Sequence, residues 1–218
     1  MKKLIVLMLL CFSFVLTACE KEGVIEDVPC TEQQIEVDGE CIDLTGQEIQ
    51  LRTVLKNTAE LTNYQFDVEV IEGENNLNII MLFDDNKAAI QTANQIDYYL
   101  DDSGVCQHTT VMNNVIFENS YDCFTNNSFL FYKGFDYTYF RVVDGKYNLN
   151  SENYQTVEAF FQNAFPNSTL ESFKMATTGT LVSEMFAELL IDGQTYLVTM
   201  TISEVDNVTI EIPTKGVN

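Results

Sequence analysis

His108 is the only imidazole in the chain, and it stands two residues after Cys106. Nucleophilic catalysis would need a serine or cysteine, a base and an orienting acid brought together. No G-x-S-x-G turn accompanies the histidine, and no H-E-x-x-H, Walker loop or G-x-G-x-x-G occurs. Adjacent carboxylates do occur, as at Asp84-Asp85 and Asp101-Asp102. Glycoside hydrolysis needs its two carboxylates on either side of a sugar, which adjacency does not supply. Both pairs sit at turn signals, and no EF-hand spacing is present. His108 therefore reads as an ordinary strand histidine. The expectation is a non-enzymatic protein with no catalytic residue, no metal site and no cofactor.

The cysteines carry the chemistry that the sequence does support. Lys2 and Lys3 precede an apolar run from Leu4 to Val15, the pattern of a secretory leader. That run is shorter than the roughly 20 apolar residues of a transmembrane helix. Leu16-Thr17-Ala18-Cys19 follows and resembles a bacterial lipobox. The resemblance implies cleavage before Cys19, a diacylglycerol on its sulfur and an N-linked acyl chain such as palmitate. Two or more chains anchor a protein stably. The expected location is the extracytoplasmic face of the cell membrane, with the membrane itself as a partner through the lipid.

Cys30, Cys41, Cys106 and Cys123 remain after Cys11 and Cys19 are assigned to the leader and the lipid. An even number outside the cytosol reads as a disulfide framework. Four cysteines allow three connectivities, and nearest-neighbour pairing, Cys30–Cys41 with Cys106–Cys123, is the one adopted. Zinc is the weaker alternative, because there is no C-x₂-C pair. The formal charge of −22 at pH 7 opposes contact with nucleic acid, so that class of partner is set aside. No particular protein partner is indicated.

The elements that must position these residues follow from periodicity. Residues 1–18 are the leader, 19–44 a tether with a small disulfide knob turning at Asp38-Gly39, and 45–218 the main domain. Thr45 and Glu48 are spaced as a capping box for a helix from Thr45 to Thr62, with Leu51, Val54, Leu55 and Thr58 on one face. Tyr64, Phe66, Val68 and Val70 then alternate with polar residues as a half-buried strand. Leu77 to Phe83 reads as a strand covered on both faces. Ala88 to Leu100 reads as one strand with Ile90, Ile96, Tyr98 and Leu100 on one side. Val105 to Phe124 reads as a hairpin about Asn113-Asn114, with Cys106 and Cys123 on its two arms and a bulge absorbing a residue of register.

Phe129 to Val143 is the most aromatic stretch, and Phe129, Phe131, Phe135, Tyr137 and Tyr139 share one parity. It is expected to be a strand, ending at Asp144-Gly145. Val157, Phe160, Phe161, Ala164 and Phe165 then fall on one stripe of a helix that Ser151 would cap and Pro166 would stop. Strands return at Leu181 to Ile191, after the Asp192-Gly193 turn at Tyr196 to Ile202, and at Val208 to Ile212. Fifteen Phe and ten Tyr, many on strand faces, fit either a plain sheet core or the wall of an apolar cavity.

This order of lipobox, tether, helix, strands, mid-chain helix and strands resembles the LolA/LppX-like superfamily of exported lipid carriers. The stretches that carry the resemblance are "ELTNYQFDVEV", "DGKYNLNSENYQTVEAFF" and "LLIDGQTYLVTMTISEVDNVTIEIP". The resemblance implies an α+β fold, a curved antiparallel half-barrel sheet covered by an N-terminal helix and a mid-chain helix. It further implies that the cavity binds a lipid or other hydrophobic small molecule, with no shared catalytic residues. The residues expected to line the cavity are Tyr98, Phe131, Phe135, Tyr137, Phe160, Phe161, Met185 and Tyr196. The disulfides depart from that family's pattern. The competing expectation is a cell-surface interaction module built on the same fold with a filled core.

Overall fold

The computed structural model describes residues 30–37, 40–102, 105–120, 124 and 128–213. The leader, Cys19, the Asp38-Gly39 turn and Cys123 lie outside the described residues. The chain divides into two compact units at Leu44/Thr45. In the first, β1 (Gln34–Val37) and β2 (Glu40–Asp43) form an antiparallel ribbon in which Glu36 faces Cys41. Cys30 and Cys41 are joined as expected, with Cα atoms 5.5 Å apart.

The second unit is mostly antiparallel sheet with two helices. Thr45 opens α1 (Gly46–Ala59) through the expected capping box: its Oγ1 accepts from the Glu48 amide, and the Glu48 carboxylate accepts from the Thr45 amide at 2.8 Å. Those hydrogen bonds hold the Glu48 carboxyl below its ordinary range. Leu51, Val54, Leu55 and Thr58 are the buried residues of α1. Thr58 ties the helix to the sheet, since its hydroxyl also accepts from the Val182 amide at 2.9 Å.

The strands are β3 (Asn63–Glu72), β4 (Asn75–Asp84), β5 (Lys87–Gln91), β6 (Gln95–Asp102), β7 (Val105–Met112) and β8 (Val115–Ser120). After them come β9 (Phe140–Val143), β10 (Lys146–Leu149), β11 (Thr169–Thr178), β12 (Leu181–Ile191) and β13 (Gln194–Ser203). They form one antiparallel sheet in the order β8-β7-β6-β5-β4-β3-β13-β12-β11-β10-β9. Hairpin turns use left-handed backbone where short polar residues or glycine tolerate it: Asn113-Asn114, Asp144-Gly145 and Asp192-Gly193 all have positive φ. The β7–β8 register slips between Thr110 and Val111, the bulge that this hairpin was expected to need. Cys106 is disulfide-bonded.

Four expectations are corrected. The aromatic stretch is not a strand before Phe140: Ser128–Gly134 and Tyr137–Tyr139 are 3₁₀ segments. Asp136 enforces the second, because its carboxylate accepts from both the amide and the hydroxyl of Thr138, 2.9 and 2.7 Å away. Ala88 to Leu100 is two strands separated by a turn, which puts Ile90 on the opposite face from Ile96, Tyr98 and Leu100. Leu77 is half exposed rather than covered. The mid-chain helix α2 (Tyr154–Ala164) follows a 3₁₀ turn at Ser151–Asn153, so Ser151 is inside a helical turn and is not the cap.

Val208 to Ile212 is the remaining departure. It forms no strand, and its backbone pairs with side chains of the sheet. Asn63 donates to the Val208 carbonyl and accepts from its amide, both at 2.9 Å. Asp84 accepts from the Ile210 amide at 3.1 Å, and Lys87 donates to the Ile210 carbonyl at 3.2 Å. The bond from Ile210 holds the Asp84 carboxyl below its ordinary range.

Candidate functional site

Strand register sorts the side chains onto two faces. Tyr64, Phe66 and Val68 of β3 share a face with Met81 and Phe83 of β4 and with Met200 and Ile202 of β13. The helices and the 3₁₀ segments pack on this face. Phe131 lies 4.5 Å from Phe161 between ring centroids, and Phe135 lies 5.4 Å from Phe173, so rings from three elements interlock. Phe161, Val157, Met185 and Leu189 have no exposed surface. Burying a side chain such as Phe161 contributes about 1.5–3 kcal/mol relative to leaving it in water. This half of the covered face is a filled core.

Of the residues expected to line a cavity, Phe131, Phe135, Phe161 and Met185 belong to that core, and Tyr137 is buried beside it. Phe160 is half-buried on α2, within 3.6 Å of a Cβ placed on Gly134. Tyr196 lies at the far end of β13, where burial and the Glu72 carboxylate push its hydroxyl up from the ordinary value. Tyr98 lies on the opposite face of the sheet, packed with Leu82 and Ile96 against the cluster of Ala89, Val208 and Ile210.

A different set of rings borders open space. Beyond the filled half, Phe83 stacks on Tyr64 at 4.6 Å, and Phe124 meets Phe83 at 5.8 Å and Tyr99 at 5.0 Å. Tyr99 stacks face to face on His108 at 4.5 Å with only 2° between the planes. Phe83, Ala88 and Tyr99 are register neighbours across β4, β5 and β6. They form the floor of a pocket of about 640 Å³. Its rim is the β4–β5 turn with Thr62, Asp85, Asn86 and Asp101. Reciprocal bonds brace that rim: Thr62 donates to the Asp85 carboxylate at 3.0 Å, and the Asn86 side chain donates to the Asp101 carbonyl at 2.8 Å. Lys87 also borders the pocket, and its ammonium is engaged by Asp84 at 3.3 Å.

A polar chain holds the wall in place. Cross-strand register sets Tyr99 opposite His108, Asp97 opposite Thr110, and His108 opposite Ser120. The His108 Nε2 lies 3.0 Å from Asp97 Oδ1, and its Nδ1 lies 3.3 Å from Ser120 Oγ. Asp97 also accepts from Thr110 and Gln95, both at 2.6 Å. Burial pushes the Asp97 carboxyl up, but the bonds from Thr110, His108 and Gln95 outweigh it and hold the group below its ordinary range. Serine, histidine and aspartate are thus in line, as in acyl transfer, but the hydroxyl meets Nδ1 and the carboxylate Nε2, the reverse of that triad. With both ring nitrogens taken, the imidazole is fixed in plane, and it fixes Tyr99 in turn.

Sequence reasoning gave Phe83, Tyr99 and Phe124 no place in a site, and it read His108 as an ordinary strand histidine without its Asp97 and Ser120 partners. Their signal lies in strand register, which brings together positions 11 to 12 residues apart. Among the described residues, no group of three or more His, Cys, Asp or Glu is placed to hold a metal ion. No described helix is long and apolar enough to cross a membrane. Comparison of the chain with protein-family models and with curated proteins found no match.

Proposed function

We propose that the protein is a non-enzymatic lipoprotein, anchored through Cys19 on the extracytoplasmic face of the cell membrane, that binds a hydrophobic or lipid-like ligand. In this reading the sheet is a curved half-barrel. The ligand site is the pocket over Phe83, Ala88 and Tyr99, not the space beneath α2. The observation that supports it is the juxtaposition of a braced aromatic pocket with a core of interlocked, buried rings. Small-molecule sites are concave, with apolar surface and fixed polar groups, and here Phe83, Ala88, Tyr99, Leu100 and Phe124 supply the apolar surface beside a polar rim of Thr62, Asp85, Asn86, Lys87 and Asp101.

The experiment has two arms. Cells fed an alkyne-bearing fatty acid should label the chain, and Cys19→Ala should abolish the label. An organic extract of the purified protein should contain a hydrophobic molecule that is lost in Tyr99→Ala. Extracts that are empty for both proteins, together with no uptake of an added alkyl probe, would overturn the binding reading. The competing reading is a cell-surface interaction module, favoured by the interlocked rings of Phe131, Phe161 and Phe173. It expects intact partner capture in Tyr99→Ala.

A further inference from the structure

The charges around the pocket have a sign. Asp85 and Asp101 stand at its rim; among the described residues lining it, Lys87 carries the one ammonium, which is engaged by Asp84 and the Ile210 carbonyl, and the nearby Lys133 ammonium donates to the Leu61 carbonyl at 2.9 Å. Beneath the carboxylates lie the π-systems of Phe83, Tyr99 and Phe124, whose ring faces attract cations. The positions are set in advance. Phe83 is backed by Tyr64, Tyr99 is backed by His108, and Asp85 is tied to Thr62. A neutral amphiphile offers the two carboxylates at most hydrogen bonds from neutral donors and no opposite charge. An anionic one would meet them with no uncommitted cation among the described residues that line the pocket to offset the repulsion. The chain's formal charge of −22 adds a long-range field that gathers cations and repels anions.

We propose that this pocket selects cationic amphiphiles: the apolar part lies over Phe83, Tyr99 and Phe124, and an ammonium group sits between Asp85 and Asp101. The inference rests on the pocket being the ligand site and adds the chemical class of the ligand. Partly exposed charge pairs and a cation over aromatic rings together give a selectivity of about tenfold, equivalent to about 1.4 kcal/mol.

The test uses the full chain carrying Cys19→Ser, which removes the acylation position and leaves every described residue unchanged. Dodecyltrimethylammonium, dodecyl maltoside and dodecanoate are titrated calorimetrically at physiological ionic strength, each below its micelle concentration. The expected result is that the ammonium binds about tenfold more tightly than the maltoside, with dodecanoate weakest. Asp85→Asn with Asp101→Asn should bring ammonium and maltoside to within about twofold. Asp67→Asn with Glu69→Gln removes the same charge from the opposite face of the sheet and should leave the preference intact. Equal affinity for ammonium and maltoside in the parent, both abolished by Tyr99→Ala, would overturn the cation inference and leave the hydrophobic pocket standing. Affinities unaffected by Tyr99→Ala would overturn both. A preference that survives the rim double variant but falls in the opposite-face variant would show bulk electrostatic attraction and would also overturn the inference.

Discussion

Replacing Thr58 by valine should destabilise the domain more than its conservative shape suggests. Thr58 is 2% exposed, at the last turn of α1 where the helix meets β12. Its hydroxyl donates to the Val54 carbonyl at 2.8 Å and accepts from the Val182 amide at 2.9 Å. Valine fills the same volume, so no cavity opens. Val54 keeps its helical amide partner. The Val182 amide does not, and an orphaned buried donor costs about 1–3 kcal/mol. The added methyl group returns about 0.8 kcal/mol of apolar burial. Together with the lost donor bond to Val54, the net loss should be about 2 kcal/mol. For a domain of this size that lowers Tm by about 4–8 °C. Urea titrations with the disulfides intact would measure it, at unchanged m-value. Thr58→Ser keeps both bonds and drops only a methyl group, so it should cost less than Thr58→Val. If Thr58→Val matches the parent, or Thr58→Ser proves the worse variant, packing holds α1 to the sheet and the hydrogen-bond argument is wrong.

Asn63→Ala removes the clamp on both polar groups of Val208 and should free the segment from Val208 to Pro213 before the sheet opens. At about 1 kcal/mol per bond, the Val208 and Ile210 amides should exchange roughly thirtyfold faster, while β12 and β13 amides stay protected. Uniform acceleration across the sheet would sink this idea. At high pH the buried Tyr132–Tyr64 pair, bonded at 2.8 Å, should set the limit of stability. Burial pushes the Tyr64 hydroxyl up to about 12, and burial pushes Tyr132 up as well. A raised phenol favours the fold below its unfolded pKa near 10, and that stability is lost as pH rises towards 12. Phenolate absorbance should therefore show two of the ten tyrosines ionising only as the protein unfolds. Titration of all ten before any loss of circular dichroism would contradict it.

Local rules made part of this fold legible. The Thr45–Glu48 capping box, the alternation of Tyr64 to Val70 and the Asn113-Asn114 turn each depend on a few adjacent residues, and each is present as read. The aromatic stretch failed because parity is a weak signal when rings are dense. Phe131, Phe135 and Tyr137 share a parity, yet Tyr132 is equally buried, and the Asp136 cap selects a 3₁₀ turn. The candidate pocket was not legible at all. Tyr99 differs from Tyr98 only in which face it reaches, and its neighbours on that face depend on a turn at residues 92–94 that the even spacing of Ile90, Ile96, Tyr98 and Leu100 concealed.

That hidden turn has a wider consequence, because the sheet exchanges its polar and apolar faces along its width. On β3, the side covered by helices buries Tyr64, Phe66 and Val68. On β6 and β7 the same side carries Asp97, His108 and Thr110, while Ile96, Tyr98 and Thr109 face the back. Each regime has its own cover: α1, α2 and the 3₁₀ segments for the first, and the segment from Val208 to Ile212 for the second. A strand at the change-over can satisfy neither arrangement fully. β5 is that strand, with Ala88 buried on one face and Ala89 on the other. Small side chains at a change-over leave room, and the pocket lies over Ala88 between Phe83 of one regime and Tyr99 of the next. The pocket thus lies where the cover of the first regime ends, with Phe83 and Tyr99 drawn from the two regimes as its floor and Asp85 and Asp101 from the strand ends as its rim. Enlarging Ala88 to leucine would fill the floor without touching either cover, so it should remove ligand binding at little cost to the fold.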